Sequence, residues 1–185
     1  IPIASLTKLM TAMLASPSDE RLYPLLIESN NQAAIALAER GGQEAFVGQM
    51  NQAAAALGLD DTYFINPSGL DSDATSTISE FNYSTAHDLL RLSTHLLTHR
   101  PDLLAISILP QAGAAKNINE LLTGQVWSPE IVGGKTGKTD LAKKNLLLVL
   151  RAPRGGHLIN IVLGANDHFA AMTQLTDWVL GSYEF

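Results

Sequence analysis

One segment of this chain reads Gly133-Gly134-Lys135-Thr136-Gly137-Lys138-Thr139 and lies in a run of residues, 131–139, with the composition of a β-strand. Two shorter motifs precede it, Ser5-Leu6-Thr7-Lys8 and Ser29-Asn30-Asn31. The first motif places a lysine three residues after a serine, which on a helix is one turn away on the same face. Each motif is weak evidence alone, but the ordered set S-x-x-K, S-x-N and K-T-G predicts acyl transfer to a serine.

Ser5 is the predicted nucleophile and Lys8 is its predicted base. A serine hydroxyl is a poor nucleophile until a neighbouring base takes its proton, and a lysine can do so only when its amine is neutral. Burial and a second nearby cation both lower the pKa of a lysine, so we expect Lys8 to be buried with the ammonium of Lys135 close to it. A helix N-terminus at Ser5 would offer backbone N–H groups to a developing oxyanion.

Three other functional patterns find no support. A phosphate-binding loop ending at Gly137-Lys138-Thr139 requires glycine at position 132, which is Val132, and a following helix where this chain has strand composition. His95 and His99 share a helical face, but a zinc-peptidase motif requires Glu at the position of Leu96. No G-x-S-x-G segment occurs, so the α/β-hydrolase form of serine catalysis is not indicated.

Composition argues against several classes of protein. The 185 residues carry a net charge of -6 and only 12 Lys and Arg, which argues against binding to nucleic acid or to an anionic membrane. A hydrophobic content of 46% is enough for a core, and the absence of Cys excludes disulfides and Cys-ligated zinc. The longest apolar runs, such as Leu146–Leu150, are far shorter than the ~18 residues of a membrane span. These short runs predict a soluble chain. The chain begins at Ile1 without an initiator Met, so we interpret it as a fragment.

Hydrophobic periodicity predicts a helical part followed by a sheet. The predicted helices are 5–14, 22–27, 33–40, 43–57, 85–97, a short one after Pro101, and 169–180; the predicted strands are 131–139, 145–150 and 157–165. Residues 62–65 have the composition of a short extended piece, 66–69 of a turn, and the segment to about residue 82 of a polar loop. We divide the chain into a nucleophile helix (1–15), a mainly helical lobe (16–126) and an antiparallel sheet with a closing helix (127–185), which together form one catalytic domain.

The chain resembles the low-molecular-mass penicillin-binding proteins, the serine D-alanyl-D-alanine carboxypeptidases and their endopeptidase relatives. The stretches that carry the resemblance, in the order of that family, are Ser5–Thr11, Phe46–Asn51, Phe64–Asp71, Tyr83–Leu89, Asn117–Leu122 and Gly134–Thr139. The resemblance implies an α/β (α+β) fold like that of serine β-lactamases and transpeptidases, with helices flanking an antiparallel sheet beside an all-helical lobe. The strands that precede the first motif in the family are missing here.

The resemblance also implies roles for the catalytic residues. Ser5 would be the acylated nucleophile and Lys8 its base, while the Ser29 hydroxyl would pass a proton to the leaving amine. The backbone N–H groups of Ser5 and Lys138 would form the oxyanion hole.

The substrate-binding residues follow from the same resemblance. Asn31 would hydrogen-bond the substrate amide. Lys135 would orient the serine of the second motif and attract the terminal carboxylate of the substrate, with the Thr136 hydroxyl as a further donor. The strand edge formed by Thr136, Gly137 and Lys138 would pair with the extended peptide.

The implied reaction is removal of the terminal D-alanine from a peptidoglycan stem peptide, or cleavage of a cross-link, through an acyl-enzyme that water hydrolyses. Penicillins and other β-lactams would acylate the same serine, and neither a metal nor an organic cofactor is required. Such an enzyme would be periplasmic or otherwise extracytoplasmic in the bacterial cell envelope. Attachment to a membrane through a segment outside these residues stays open, as does the choice between carboxypeptidase and endopeptidase.

The chain departs from the family pattern at two places, and two alternatives follow. Only residues 9–28 separate Lys8 from Ser29, where the family has a segment several times longer, and Lys138 stands where relatives often carry His. The first alternative is a β-lactamase or esterase on the same fold; class A enzymes carry a Glu followed four residues later by Asn, whereas Glu80 is followed at that spacing by Ser84. The second alternative is a non-catalytic cell-wall binding module.

Overall fold

The computed structural model describes residues 1–71, 81–122 and 130–183. Its helices are α1 (Lys8–Leu14), α2 (Leu22–Ile27), α3 (Asn31–Glu39), α4 (Gln43–Ala56), α5 (Ala86–His99), α6 (Pro101–Ser107) and α7 (His168–Ser182). Its strands are β1 (Gln111–Ala112), β2 (Ala115–Lys116), β3 (Ile131–Thr139), β4 (Lys143–Arg151) and β5 (His157–Ala165). Single turns of 3-10 helix lie at Ala4–Thr7 and Glu120–Leu122. Glu80 lies outside the described residues, as does the predicted boundary between the helical lobe and the sheet.

The predicted three-stranded sheet is antiparallel with the order β3-β4-β5. Its middle strand holds the register of the third motif, since Lys135 pairs with Leu147. Leu146–Leu150 are all fully buried, because helices cover both faces of this strand and no alternation with polar residues is needed. Leu147 and Val149 face the main helical core, whereas the other three leucines pack with Met172 of α7.

Helix α1 lies at the centre of the molecule and is buried nearly all round. Leu9, Met10 and Ala12 are at most 1% exposed and belong to the same core cluster as Leu147 of the sheet. Close packing on every side leaves such a helix little freedom to shift. The first turn of the helix, which carries the first motif, is therefore fixed relative to the sheet.

Helix α7 closes the other face of the sheet. The Asp167 side chain caps it by accepting hydrogen bonds from the N–H groups of Phe169 and Ala170, both at 3.1 Å. The helix begins one residue before the predicted start and ends two residues after the predicted end. Among the described residues, no helix has both the length and the apolar character needed to cross a lipid bilayer.

The structure departs from the sequence-based prediction in local details. The hairpin β1–β2 was not predicted, because strands of two residues show no periodicity. The extended piece expected at 62–65 is reduced to one bridge between Tyr63 and Tyr83. Strand β4 begins at Lys143, two residues earlier than predicted.

Candidate active site

Ser5 lies in the 3-10 turn Ala4–Thr7, which leads directly into α1. The preceding residue, Ala4, has φ 48°, in the left-handed region that residues other than glycine rarely occupy. A 3.1 Å hydrogen bond from the N–H of Ile3 to the carbonyl oxygen of Asn82 anchors this turn. The predicted helical start at Ser5 is confirmed, but as a strained 3-10 turn held by its neighbours, a type of backbone that clusters at functional sites.

Lys8 is completely buried, and its amine contacts the Ser5 hydroxyl. Its Nζ lies 2.7 Å from Ser5 Oγ and donates hydrogen bonds to Asn31 Oδ1 at 2.8 Å and to the Ser68 carbonyl oxygen at 2.6 Å. Burial lowers the pKa of Lys8 to about 7. In the neutral amine, two N–H groups satisfy Asn31 and Ser68, and the lone pair accepts the proton of the Ser5 hydroxyl.

Lys135 connects the third motif to the second. Its side chain is buried, and Nζ donates hydrogen bonds to Ser29 Oγ and to the Thr136 carbonyl oxygen, both at 2.8 Å. Burial, and secondarily repulsion from the Lys8 ammonium, hold the pKa of Lys135 well below its ordinary value.

The two lysines therefore sense each other's charge, as expected from the sequence. Burial lowers the pKa of both lysines, and the repulsion between their ammonium groups belongs to the pair, because each charge disfavours the other.

In the second motif, the middle residue caps a helix and the two outer residues line the cleft. Asn30 caps α3, since its Oδ1 accepts a 2.9 Å hydrogen bond from the Ala33 N–H, and its amide donates to Glu28 at 2.8 Å. Ser29 and Asn31 line the cleft on either side of this cap, with Ser29 at φ 63°. The left-handed backbone at Ser29 turns its hydroxyl towards the cleft although the residue lies beside a helix cap. The middle residue of S-x-N, Asn30, has the structural role of capping α3.

A cleft of about 310 Å³ opens where the three motifs meet. Its lining residues are Ser5, Ser29, Asn31, Leu70, Ile118, Thr136, Gly137, Lys138, His168 and Phe169. Strand β3 forms one wall of the cleft. Among the described strands it pairs only with β4, so it is an edge strand of the sheet. All eight predicted site residues thus come together, because the two that do not line the cleft, Lys8 and Lys135, are hydrogen-bonded to its serines.

Sequence reasoning missed several contributors to this site. The Ser68 carbonyl lies in the predicted turn at 66–69, where Asn66 Oδ1 accepts hydrogen bonds from the Gly69 N–H at 2.6 Å and the Ser68 N–H at 3.1 Å. The turn-forming composition of residues 66–69 was thus the one sequence feature that could have drawn attention to Ser68. The other missed residues, which line the cleft, are Leu70, Ile118, His168 and Phe169.

The paired histidines of α5 form a separate feature. The rings of His95 and His99 stack with centroids 4.1 Å apart. Within the three ranges that the structure describes, no group of three or more His, Asp or Glu side chains is placed to hold a metal ion.

Comparison with known families gives the class of this site. The peptidase S11 family model, D-alanyl-D-alanine carboxypeptidase, matches residues 17–167. The chain belongs to this family. Its predicted family is confirmed, and so is the predicted enzyme class, a serine-type D-alanyl-D-alanine carboxypeptidase.

Individual relatives of this S11 chain support the same assignment. A D-alanyl-D-alanine endopeptidase of Pseudomonas aeruginosa is 32% identical over 230 residues, covering 97% of this chain and 69% of the relative. The carboxypeptidase DacB2 of Mycobacterium tuberculosis is 34% identical over 167 residues, covering 83% of this chain and 55% of the relative. The chain therefore spans between half and seventy per cent of these two relatives.

The fold is shared with penicillin-binding proteins of known structure. The ampicillin-bound form of penicillin-binding protein D2 from Listeria monocytogenes matches with a TM-score of 0.81 and 29% identity, covering 98% of this chain and 86% of that protein. This match confirms the predicted fold class, an antiparallel sheet flanked by helices as in the serine transpeptidases.

Proposed function

We propose that this S11 peptidase cleaves the bond before the terminal D-alanine of a peptidoglycan stem peptide through an acyl-enzyme on Ser5. The observation that carries the proposal is the 2.7 Å contact between Lys8 Nζ and Ser5 Oγ. Because burial lowers the pKa of Lys8 to about 7, a large fraction of the amine is neutral near neutral pH and can take the hydroxyl proton.

In the first half-reaction, Ser5 Oγ attacks the carbonyl carbon of the penultimate residue while its proton passes to Lys8. The carbonyl oxygen becomes an oxyanion, which the backbone N–H groups of Ser5 and Lys138 stabilise. The carbon–nitrogen bond then breaks as the Ser29 hydroxyl, held by Lys135 at 2.8 Å, delivers a proton to the departing amine. Ser29 regains a proton from the Lys8 ammonium, which leaves Lys8 neutral for the second half-reaction. D-Alanine leaves, and the acyl group remains as an ester on Ser5.

In the second half-reaction, water replaces the amine. Lys8 accepts a proton from the attacking water, the ester carbonyl again becomes an oxyanion in the same pair of N–H groups, and the ester bond to Ser5 breaks. The serine recovers its proton from Lys8. The shortened peptide leaves with a new carboxylate, and the enzyme returns to its starting state.

Substrate binding falls to the second and third motifs. Asn31 Oδ1 already accepts a hydrogen bond from Lys8, so its amide group is oriented to donate to a substrate carbonyl. The Thr136 hydroxyl and the Lys135 side chain attract the terminal carboxylate, and an arriving carboxylate favours the charged form of Lys135. The edge of β3 at Gly137 pairs with the extended peptide backbone.

β-Lactams acylate the same serine in this proposal, as the ampicillin and cefotaxime complexes of the Listeria protein suggest. Intact-mass spectrometry after incubation with a penicillin should show one added antibiotic, Ser5→Ala should show none, and the exposed-serine control Ser18→Ala should behave as wild type. A wild-type chain that neither gains this mass nor releases D-alanine refutes the proposal. An adduct that disappears within seconds would favour the β-lactamase alternative, whereas a lasting one excludes it.

An endopeptidase is the second candidate, because the endopeptidase of Pseudomonas aeruginosa aligns with 97% of this chain. Both reactions use the same acyl-enzyme and differ only in the leaving amine, which is D-alanine in one and a cross-linked peptide in the other. Mass spectrometry of products from a defined monomer and a defined cross-linked dimer separates the two. Release of D-alanine alone assigns a carboxypeptidase, and conversion of dimer to monomers assigns an endopeptidase.

S11 peptidases work on the bacterial cell wall, outside the cytoplasm. We propose that this chain acts in the periplasm or an equivalent extracytoplasmic space, and that a segment outside these residues attaches it to the membrane. Fractionation of cells that express the complete gene product tests both points. We also propose that 1–15, 16–126 and 127–185 act as one catalytic domain, since α1 shares its core with the helices and the sheet.

A further inference from the structure

The hydroxyl of Thr11 bonds outside its own helix, to a turn that contacts the catalytic lysine. Thr11 lies in α1 and is fully buried, and its Oγ1 donates a 2.6 Å hydrogen bond to the Pro67 carbonyl oxygen. A threonine within a helix often donates to the carbonyl four residues earlier instead. Three other helical threonines of this chain do so: Thr94, Thr98 and Thr173. The Thr11 hydroxyl therefore joins α1 to the turn at 66–69.

Two successive carbonyl groups of this turn are bound by one face of α1. Lys8 and Thr11 are three residues apart, which places both side chains on the same side of the helix. Thr11 binds the Pro67 carbonyl, and the Lys8 amine binds the next one along the chain, that of Ser68, each at 2.6 Å. Because the two carbonyls belong to adjacent peptide units, a shift of the first moves the second. Thr11 thus fixes where the Ser68 carbonyl lies relative to Lys8 Nζ.

The other side of the turn is held by Asn82, which is buried and uses both polar atoms of its side chain. Its Oδ1 accepts hydrogen bonds from the N–H groups of Ile65 at 2.8 Å and Asn66 at 3.2 Å. Its Nδ2 donates to the Asn66 carbonyl oxygen at 2.8 Å and to Thr7 Oγ1 at 2.9 Å. The turn is therefore anchored from two sides, and Thr11 is an anchor that comes from α1 itself.

The orientation of the Lys8 amine depends on the carbonyl that this turn presents. A neutral amine has two N–H groups and one lone pair. When Asn31 Oδ1 and the Ser68 carbonyl accept the two N–H groups, the lone pair is left for the Ser5 hydroxyl, 2.7 Å away. A carbonyl displaced from Nζ would let the amine rotate, and the lone pair would then face the hydroxyl proton for less of the time.

We propose that Thr11 is a positioning residue for proton transfer, which holds the Ser68 carbonyl against the Lys8 amine and so keeps the lone pair of that amine on the nucleophile. Thr11 is fully buried and does not line the cleft, so it acts through the turn and not on the substrate. This inference rests on the proposed function, in which Lys8 is the base.

Thr11→Val removes the hydroxyl and keeps the shape of the side chain. The first-order rate of Ser5 acylation at saturating penicillin should fall about tenfold, because the reacting groups are less well aligned. The penicillin concentration that gives half of this rate should stay within about twofold, because the cleft itself is unchanged. Thr11→Ser keeps the donor and should restore most of the wild-type rate. Mass spectrometry of the adduct over time measures all three variants.

The pH dependence of acylation gives a readout that a loss of packing would not give. A hydrogen bond to the Ser68 carbonyl favours the charged form of Lys8, so its loss in Thr11→Val should lower the pH of half-maximal acylation by about half a unit. Water entering a loosened site would instead reduce the effect of burial and raise this pH. Among the described residues, the charged group that faces Lys8 is Lys135 of β3, which no variant changes.

Thr176 of α7 offers a matched control. It is also fully buried, and its hydroxyl has no hydrogen-bond partner. The same exchange, Thr176→Val, should leave the acylation rate and its pH profile as in wild type. Thermal unfolding verifies that each variant folds, and Thr11→Ala replaces Thr11→Val in both measurements if the valine variant does not fold.

The outcomes separate failure of this inference from failure of the proposed function. A wild-type acylation rate in Thr11→Val, or a loss that Thr11→Ser does not restore, overturns the role of Thr11. A half-maximal pH that stays constant or rises overturns it as well. The proposed function survives each of these results, provided that wild type forms the penicillin adduct on Ser5. Absence of the adduct and of D-alanine release in wild type overturns both.

Discussion

Gly137 packs directly against the backbone of Ile3 at the start of the turn that carries the nucleophile. A Cβ atom added at Gly137 would lie 2.9 Å from the Ile3 carbonyl oxygen and 3.2 Å from the backbone nitrogen of Ser5. Both neighbours are main-chain atoms that cannot rotate away. The third residue of K-T-G is therefore glycine because any side chain would separate the strand edge from the nucleophile.

We expect Gly137→Ala to slow acylation of Ser5 by a penicillin at least about tenfold, because a shift of about 1 Å between positioned reacting groups can cost up to 100-fold. The second-order rate of adduct formation, followed by mass spectrometry, measures this effect.

Gly48→Ala is the matched control, since Gly48 lies within α4 and a Cβ there meets no atom within 4 Å. It should leave acylation unchanged and raise the free energy of unfolding by about 0.5–1 kcal/mol. If Gly137→Ala acylates as fast as wild type, the close approach has no catalytic importance.

The contact between Lys8 and Ser5 predicts a definite pH profile. Only the neutral amine can accept the serine proton, and the pKa of Lys8 is lowered to about 7. The value of kcat/KM should therefore rise with pH and reach half its plateau near 7. Initial rates of D-alanine release at substrate concentrations well below KM measure it.

Lys8→Arg tests the same assignment, because a guanidinium stays protonated and cannot act as a base. Acylation should fall by about 10²–10⁴, the usual contribution of a general base. Lys116→Arg, at an exposed position of β2, is the control and should retain the wild-type rate. A flat profile between about pH 6 and 8 would show that another group removes the proton.

How much of this site could be predicted depends on the range of each contact. Ser5 and Lys8 were predictable because three residues on a helix place two side chains on one face. The contact of Lys8 with the Ser68 carbonyl was not, since any residue presents a carbonyl and only the fold decides which one arrives. His168 was missed for the same reason: it reaches the cleft because α7 crosses the sheet face, and its only local signal was a helix start after Asp167.

In the fold, too, local features were predictable from the sequence and features that depend on long-range packing were not. The three strands β3, β4 and β5 were predictable from long apolar runs separated by turns. The lowered pKa values of the two lysines have a similar origin: the sequence indicated that the two side chains would be close, but burial is the largest cause of both shifts. Burial depends on packing and has no local sequence pattern.

The strained backbone of Ser29 predicts opposite effects on stability and activity. Its φ of 63° is unfavourable for a residue with a side chain, and glycine removes that penalty. Ser29→Gly should be about 1 kcal/mol more stable to unfolding than Ser29→Ala, which keeps the strain while also lacking the hydroxyl. Denaturant unfolding of the two variants measures the difference directly.

Both Ser29 variants should acylate about 10²-fold or more slowly than wild type, because neither can deliver a proton to the leaving amine. Their equal loss of activity, set against their unequal stability, separates the role of the hydroxyl from that of the backbone. Full activity in Ser29→Gly would assign the proton transfer to another residue.

Asp19 holds the short connection between α1 and α2. Its carboxylate accepts hydrogen bonds from Arg21 Nε at 2.8 Å and Nη2 at 2.7 Å, and Arg21 Nη1 in turn donates to the Ala36 carbonyl oxygen at 2.6 Å. The hydrogen bond from Arg21 is the main cause that lowers the pKa of Asp19 to about 2. Because the folded-state pKa is depressed, this stabilisation is fully present above about pH 4 and is lost as pH falls towards 2.

Asp19→Asn should therefore lower the free energy of unfolding by about 1–3 kcal/mol at pH 7, since the side chain of Asp19 is only 5% exposed and the Arg21 guanidinium loses its charged partner. Asp102→Asn removes a carboxylate that is 42% exposed from its pair with Arg100 and should cost at most about 1 kcal/mol. Urea unfolding at several pH values measures both. The gap between wild type and Asp19→Asn should narrow between about pH 4 and 2; a gap that stays constant would mean that the loss comes from packing and not from the charge of Asp19.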